Sequence, residues 1–216
     1  MVEEQFSLDG ILLVHNAIRA QSDLLEQLAQ KGTPDAAGFV QKRFELYWEV
    51  VESHHTFEDD FFFPVVKRLA PDFVTAMAGL AEDHQIVIKL MSMVKESLEK
   101  LSKSAASADK ESQYKKLVQF ISSLKEEMDR HLTREENVIT PILARDFPVE
   151  NQIELRQALL SLIPPDLLST EIPWILELLD DDAKQEALKA LPGTFRKLYE
   201  ERWKKNYELK LSTTGK

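Results

Sequence analysis

The chain carries five histidines: His15, His54, His55, His84 and His131. Two of them open matching phrases, His54-His-Thr-Phe-Glu58 and His131-Leu-Thr-Arg-Glu135. Residues four apart share one face of a helix, so each phrase aims an imidazole and a carboxylate at one point. That pair of donors suits a first-row transition metal. The sequence has no cysteine, which excludes disulfides, thiolate zinc sites, iron–sulfur clusters and thiol catalysis. A metal must therefore be held by His, Asp or Glu. No Ser/His/Asp arrangement and no phosphate-cradling Gly-rich loop is visible.

The elements that must position these residues are helical. Apolar residues recur with a period near 3.6, few segments alternate with period two, and only 6 of 216 residues are Gly. A first helix is expected from about Ser7 to Lys31, ended by Gly32-Thr-Pro-Asp35. A second follows from about Asp35 to Ala70 with a kink at Pro64, a third from Pro71-Asp72 to about Ser104, and a fourth from about Lys110 to Arg145. Long helices with short connections predict an all-α, up-down-up-down four-helix bundle over 1–147. Shorter helices are expected at 149–162, 165–180 and 182–191, with a basic, aromatic-containing tail over Phe195–Leu211. Residues 148–216 thus form a helical C-terminal extension, with Leu167, Ile172, Trp174, Ile175 and Leu178 covering one side or end of the bundle.

Each bundle helix places one histidine on its apolar seam. The seams are Leu8, Ile11, His15, Ile18, Leu25; Phe44, Tyr47, Val51, His54, Glu58, Phe61; Met77, Leu80, His84, Val87, Met91, Val94; and Leu117, Ile121, Leu124, Met128, His131, Glu135, Val138, Ile142. Counted from the connecting turns, His15, His54, Glu58, His84, His131 and Glu135 fall within about one helical turn of a common height. A lone histidine on such a seam is ordinarily a core residue with a hydrogen-bond partner. Six polar groups from four helices meeting in one slab fit that reading poorly. Two buried carboxylates cost several kcal/mol unless something positive faces them, and no Lys or Arg lies on these seams. A bound cation is the simplest compensation.

The chain also repeats itself. At an offset of 77 residues, His54, Thr56, Glu58, Pro64 and Arg68 match His131, Thr133, Glu135, Pro141 and Arg145. Two copies of a helix pair imply a pseudo-twofold arrangement, and so two metals.

This pattern resembles the hemerythrin-like (HHE cation-binding) family over roughly residues 7–147. The resemblance implies a four-helix bundle around a non-haem di-iron centre. His15 and His54 would hold one iron, His84 and His131 the other, and Glu58 and Glu135 would bridge them. Water, hydroxide or an oxo group would fill remaining positions. The sequence departs from the oxygen-carrying hemerythrins in having Ile88 one turn after His84, where those carry a further His. It also has Glu135 and Glu136 four and five residues after His131, where those have an Asp at five. Fewer imidazoles and more carboxylate favour the ferric state, and so iron binding, sensing or oxidation over reversible oxygen carriage. His55 lies about 100° round from His54. It is either a fifth imidazole on the His15/His54 iron or a boundary histidine donating to an outer carboxylate. Tyr47 and Phe61–Phe63 read as core. The phrases Ile163-Pro-Pro and Ile172-Pro-Trp-Ile175 resemble the segment that comes after hemerythrin domains in plant-type, iron-sensing RING ubiquitin ligases.

Composition sets the remaining bounds. Charged residues make up 30% and hydrophobic ones 44%, and the formal net charge is −10. An acidic chain is a poor nucleic-acid binder, and no apolar run approaches the roughly 20 residues that span a bilayer. The acidic start, Met1-Val-Glu-Glu-Gln5, is unlike a signal or transit peptide. A cytoplasmic or nuclear protein is expected. Its expected contacts are iron, a small ligand such as oxygen and, through the extension, a protein partner. Three functions stand as alternatives: a di-iron binding and sensing module, a di-iron enzyme acting on peroxide, nitric oxide or Fe(II), and a helical interaction protein without metal.

Overall fold

The computed structural model describes residues 6–69, 74–103, 107–146, 165 and 168–212, and every regular element among them is helical. Helices α1 (Phe6–Lys31), α2 (Ala37–Phe57), α4 (Val74–Lys103) and α5 (Ser107–Asp146) form the bundle. The short α3 (Phe63–Leu69) continues α2. Helix α1 packs on α2 and α5, and α4 packs on the same two, which closes the ring. The turn after α1 needs Gly32, because a Cβ there would collide with the Tyr114 hydroxyl. That hydroxyl donates to the Ala29 carbonyl at 2.9 Å and ties α5 to the end of α1.

The expected kink at Pro64 takes a specific form. Residues Glu58–Phe62 make a π turn between α2 and α3, with the Phe63 N–H bonded to the Glu58 carbonyl. Proline has no N–H to continue the α ladder, and a wider turn just ahead of it absorbs the mismatch. Pro141, its counterpart in the repeat, sits inside an unbroken α5.

The core is split in two. Ile18, Phe44, Val51, Val87, Leu117, Ile121, Leu124, Met128 and Leu132 belong to one apolar cluster. Phe62, Phe63, Val66, Met77, Leu80, Ile139 and Ile142 form another. On every bundle helix the histidines fall between the two, so a polar slab is sealed by apolar side chains above and below. The expected seam drifts at its far end, where Ile139 rather than Val138 is buried.

The extension contains α6 (Leu168–Glu177), α7 (Asp181–Ala190), α8 (Gly193–Leu198) and α9 (Lys204–Ser212), with a π turn over Tyr199–Trp203. Asp180 caps α7 by accepting from the Ala183 N–H at 2.8 Å. Trp174 and Ile175 enter the bundle core as expected. Ile172 does not. It joins Leu168, Leu176, Leu188, Phe195, Tyr199 and Trp203 in a cluster of the extension's own. Leu178 is exposed. The reason is that α6 is amphipathic twice over, one stripe serving the bundle and the other its own neighbours. Polar ties add register: Arg43 forms a two-bonded pair with Glu177 at 3.1 Å, and Lys210 reaches Glu49 at 2.8 Å. Leu167, the expected helix over 149–162 and the expected boundary at 147–148 lie outside the described residues. No helix among the described residues is long and apolar enough to cross a membrane.

Candidate metal centre

All six candidate ligands and His55 are buried in the polar slab. They assemble into two adjoining groups, His15, His54, Glu58 and Glu135 in one, and His55, His84 and His131 in the other. The carboxylates lie between the groups. Glu58 Oε1 is 3.0 Å from His54 Nε2, and its Oε2 is 3.4 Å from His84 Nε2. Glu135 Oε2 is 3.5 Å from His15 Nε2 and 3.8 Å from His131 Nε2.

These approaches are not hydrogen bonds. Nε2 of His15, His54, His84 and His131, both ring nitrogens of His55, Oε2 of Glu58 and both oxygens of Glu135 are buried without a hydrogen-bond partner. Leaving one buried polar atom unpaired ordinarily costs about 1–3 kcal/mol. Orphaned lone pairs of the right chemistry, aimed at a common space, fit a cation donor set.

Comparison with known proteins agrees. The model of the hemerythrin HHE cation binding domain matches residues 7–106 and again residues 80–159. The chain belongs to the hemerythrin HHE family. The two overlapping matches echo the repeat at an offset of 77. Among curated proteins of Arabidopsis thaliana, zinc finger protein BRUTUS is 24% identical over 189 residues, covering 84% of this chain. Two BRUTUS-like zinc finger proteins are 24% and 22% identical, over 85% and 94% of this chain. The chain spans only 14–17% of the length of these relatives. No solved structure matches.

The hemerythrin site has an outer layer. The His15 Nδ1 pairs with Glu136 Oε1 at 2.9 Å, and Arg19 clasps that carboxylate at 2.7 and 3.1 Å. The His84 Nδ1 pairs with Asp59 Oδ2 at 3.1 Å. Asp59 and Glu136 are related by the same offset of 77, so the repeat carries the outer carboxylates as well as the inner ones. A carboxylate on Nδ1 turns the ring so that Nε2 faces the centre. The repeat breaks at Arg19, whose counterpart one turn after His84 is the exposed Ile88.

Electrostatics differ from residue to residue. Burial opposes a proton on His15 and His84, but their carboxylate partners outweigh it and raise both pKa values. His55 has no such partner; burial, then the neighbouring imidazoles, hold its pKa far below the ordinary value. Burial brings His131 to about 3. Burial also pushes Glu135 well up, helped by Glu58, whereas around Glu58 the surrounding histidines overcome burial and hold it well down. Burial works against ionised Glu136 too, yet His15 and Arg19 bring its pKa down to about 2.

The structure corrects the expected place of His55. Rather than standing beside His15 and His54, its ring stacks on His84 with centroids 4.0 Å apart and meets His131 edge-on at 5.3 Å. It brings an imidazole from α2 up to His84 and His131. Periodicity alone missed this, because one step along a helix is a turn of about 100° and the partner helix decides whether that side is covered. Tyr47 is core, with its hydroxyl 2.9 Å from Ser22 Oγ. Phe62 and Phe63 are buried, and Phe63 stacks on His84.

Proposed function

We propose that this chain is a non-haem di-iron module that binds iron, and with it a small ligand such as oxygen, in an iron-sensing or iron-handling role. His15 and His54 would hold one iron, His55, His84 and His131 the other, and Glu58 and Glu135 would bridge them. The observation that carries this is the convergence of buried, unpartnered imidazole nitrogens and carboxylate oxygens in two adjoining groups. Iron supplies Lewis acidity and a ferrous/ferric couple at such a site. The chain's own residues orient the rings, exclude bulk water with two apolar clusters and neutralise charge with two carboxylates.

The donor count is unequal. The His15/His54 side has two nitrogens besides the bridges and the other side three. The first side therefore keeps more positions open, which favours small-ligand binding there. Turnover of peroxide, nitric oxide or Fe(II) is the competing reading of the same opening, and a rate that drops in a His84→Ala variant would support it.

The experiment is anaerobic reconstitution with Fe(II), a count of iron per chain, then admission of air with the absorption spectrum recorded. Two irons per chain and new near-ultraviolet charge-transfer bands are expected. A folded chain that retains no iron overturns the proposal.

A further inference from the structure

Helix α6 brings a further carboxylate, Glu171, to the His54 side of the bundle. Ser53, buried and adjacent to His54, donates from Oγ to Glu171 Oε2 at 3.3 Å. Next to Glu171, Thr170 bonds to Glu49 on α2, and Trp174, one turn further on, is seated in the bundle core. Glu171 is therefore held in place from both sides. Its carboxyl sits within the field of the site: burial raises its pKa, His54 and Ser53 pull it down, and Glu58 pushes it up. It lies beyond residues 7–159, which the family model matches.

We propose that Glu171 is a positioning residue of the metal centre, fixing the His54 side through Ser53 and adding negative charge beside it, so that the C-terminal extension is part of the metal-binding unit. The inference rests on the di-iron reading. Its logic is charge balance. Two divalent cations bring four positive charges and Arg19 a fifth, against the four carboxylates of Glu58, Glu135, Asp59 and Glu136. Glu171, held by Ser53 next to His54 in the chain, adds one more carboxylate on that side. Without metal the half-buried Glu171 carboxyl has burial and Glu58 working against its charge, whereas metal relieves that repulsion. Metal binding and docking of α6 then strengthen each other reciprocally.

The test uses the full chain and Fe(II) under anaerobic conditions. Glu171→Gln keeps the shape and an oxygen for Ser53 but removes the charge. It is expected to weaken Fe(II) binding about tenfold or more, the loss usual for groups behind metal ligands. Its metal-free melting temperature should stay level or rise. Fe(II) should slow amide hydrogen exchange over residues 168–177 in the unmodified chain and do so less in the variant. Fe(II) affinity within twofold of the unmodified chain overturns the proposal, as does a drop in metal-free stability with affinity unchanged, the mark of a purely structural residue. If Glu171→Gln does not fold, Ser53→Ala carries the same expectation for Fe(II) affinity. An unmodified chain that binds no Fe(II) overturns the di-iron reading and this one with it. Equal binding by chain and variant overturns this one alone.

Discussion

Replacing Glu135 by Gln separates a bridging carboxylate from a merely buried one. Glu135 is fully buried, both its oxygens lack partners, and burial together with Glu58 raises its pKa well above the ordinary value in the metal-free fold. In the unfolded chain the same carboxyl ionises near an ordinary pKa of about 4.3. An acid whose pKa is raised by folding destabilises the fold at pH above the unfolded value, and Gln removes that penalty. The metal-free variant should therefore melt at or above the unmodified temperature at pH 7. With metal the sign reverses, because the amide brings no charge and cannot bridge as an anion. At a free metal concentration of about 100 times Kd, binding stabilises by about 2.7 kcal/mol. A hundredfold weaker site keeps only about 0.4 kcal/mol of that at the same concentration. For a chain of this size each kcal/mol moves the melting point by about 2–4 °C. A metal-induced rise of roughly 5–11 °C should thus shrink to roughly 1–2 °C. Thermal melts by circular dichroism, with and without Fe(II) and without oxygen, read both quantities. A variant that melts several degrees lower without metal, yet shows the full metal-induced rise, would refute the reasoning.

Other substitutions probe the remaining parts. His55→Leu should keep the fold and reduce bound iron from two per chain towards one, read by metal analysis after desalting; two tightly held irons would remove His55 from the donor set. Glu136→Gln should weaken Fe(II) binding by about 10–100-fold by loosening the His15 ring; competition against a chelator measures it, and unchanged affinity would make Glu136 a surface tie only. His131 stays neutral in the metal-free fold down to about 3, while the unfolded chain takes up a proton near 6.5. Stability therefore falls with acid across that window by about 1.4 kcal/mol per pH unit at this site. Metal-free His131→Leu should lose about 2 kcal/mol less than the unmodified chain between pH 6.5 and pH 5, by urea unfolding, and an unaltered pH slope would contradict this. Trp174→Ala should cost about 3–5 kcal/mol by emptying a site in the bundle core, and a cost under about 1 kcal/mol would mean that α6 is not seated there.

Much of the centre was legible because its signals are local. His54 and Glu58, and His131 and Glu135, share a helix face by spacing alone, and a repeat at 77 residues says that the site is built twice. The repeat also held Asp59 and Glu136, one residue past the inner glutamates. The four long helices, the turn at Gly32 and the break ahead of Pro64 come from periodicity and from residues whose backbone chemistry is restrictive. The form of the break did not, since a π turn and a kink answer the same missing N–H.

The sequence by itself determined which residues could be donors, which helix carries each, and that the slab would need a cation, because these depend on residue type and on a period of 3.6. Only the tertiary structure decided which donors group together. It moved His55 to His84 and His131, because covering that side of α2 depends on where α4 and α5 pass. It brought Glu171 to Ser53, 118 positions earlier in the chain, and no periodicity spans such a gap. It sent Ile172 away from the bundle while seating Trp174 in it, since two stripes on one short helix look alike until both neighbours are in place.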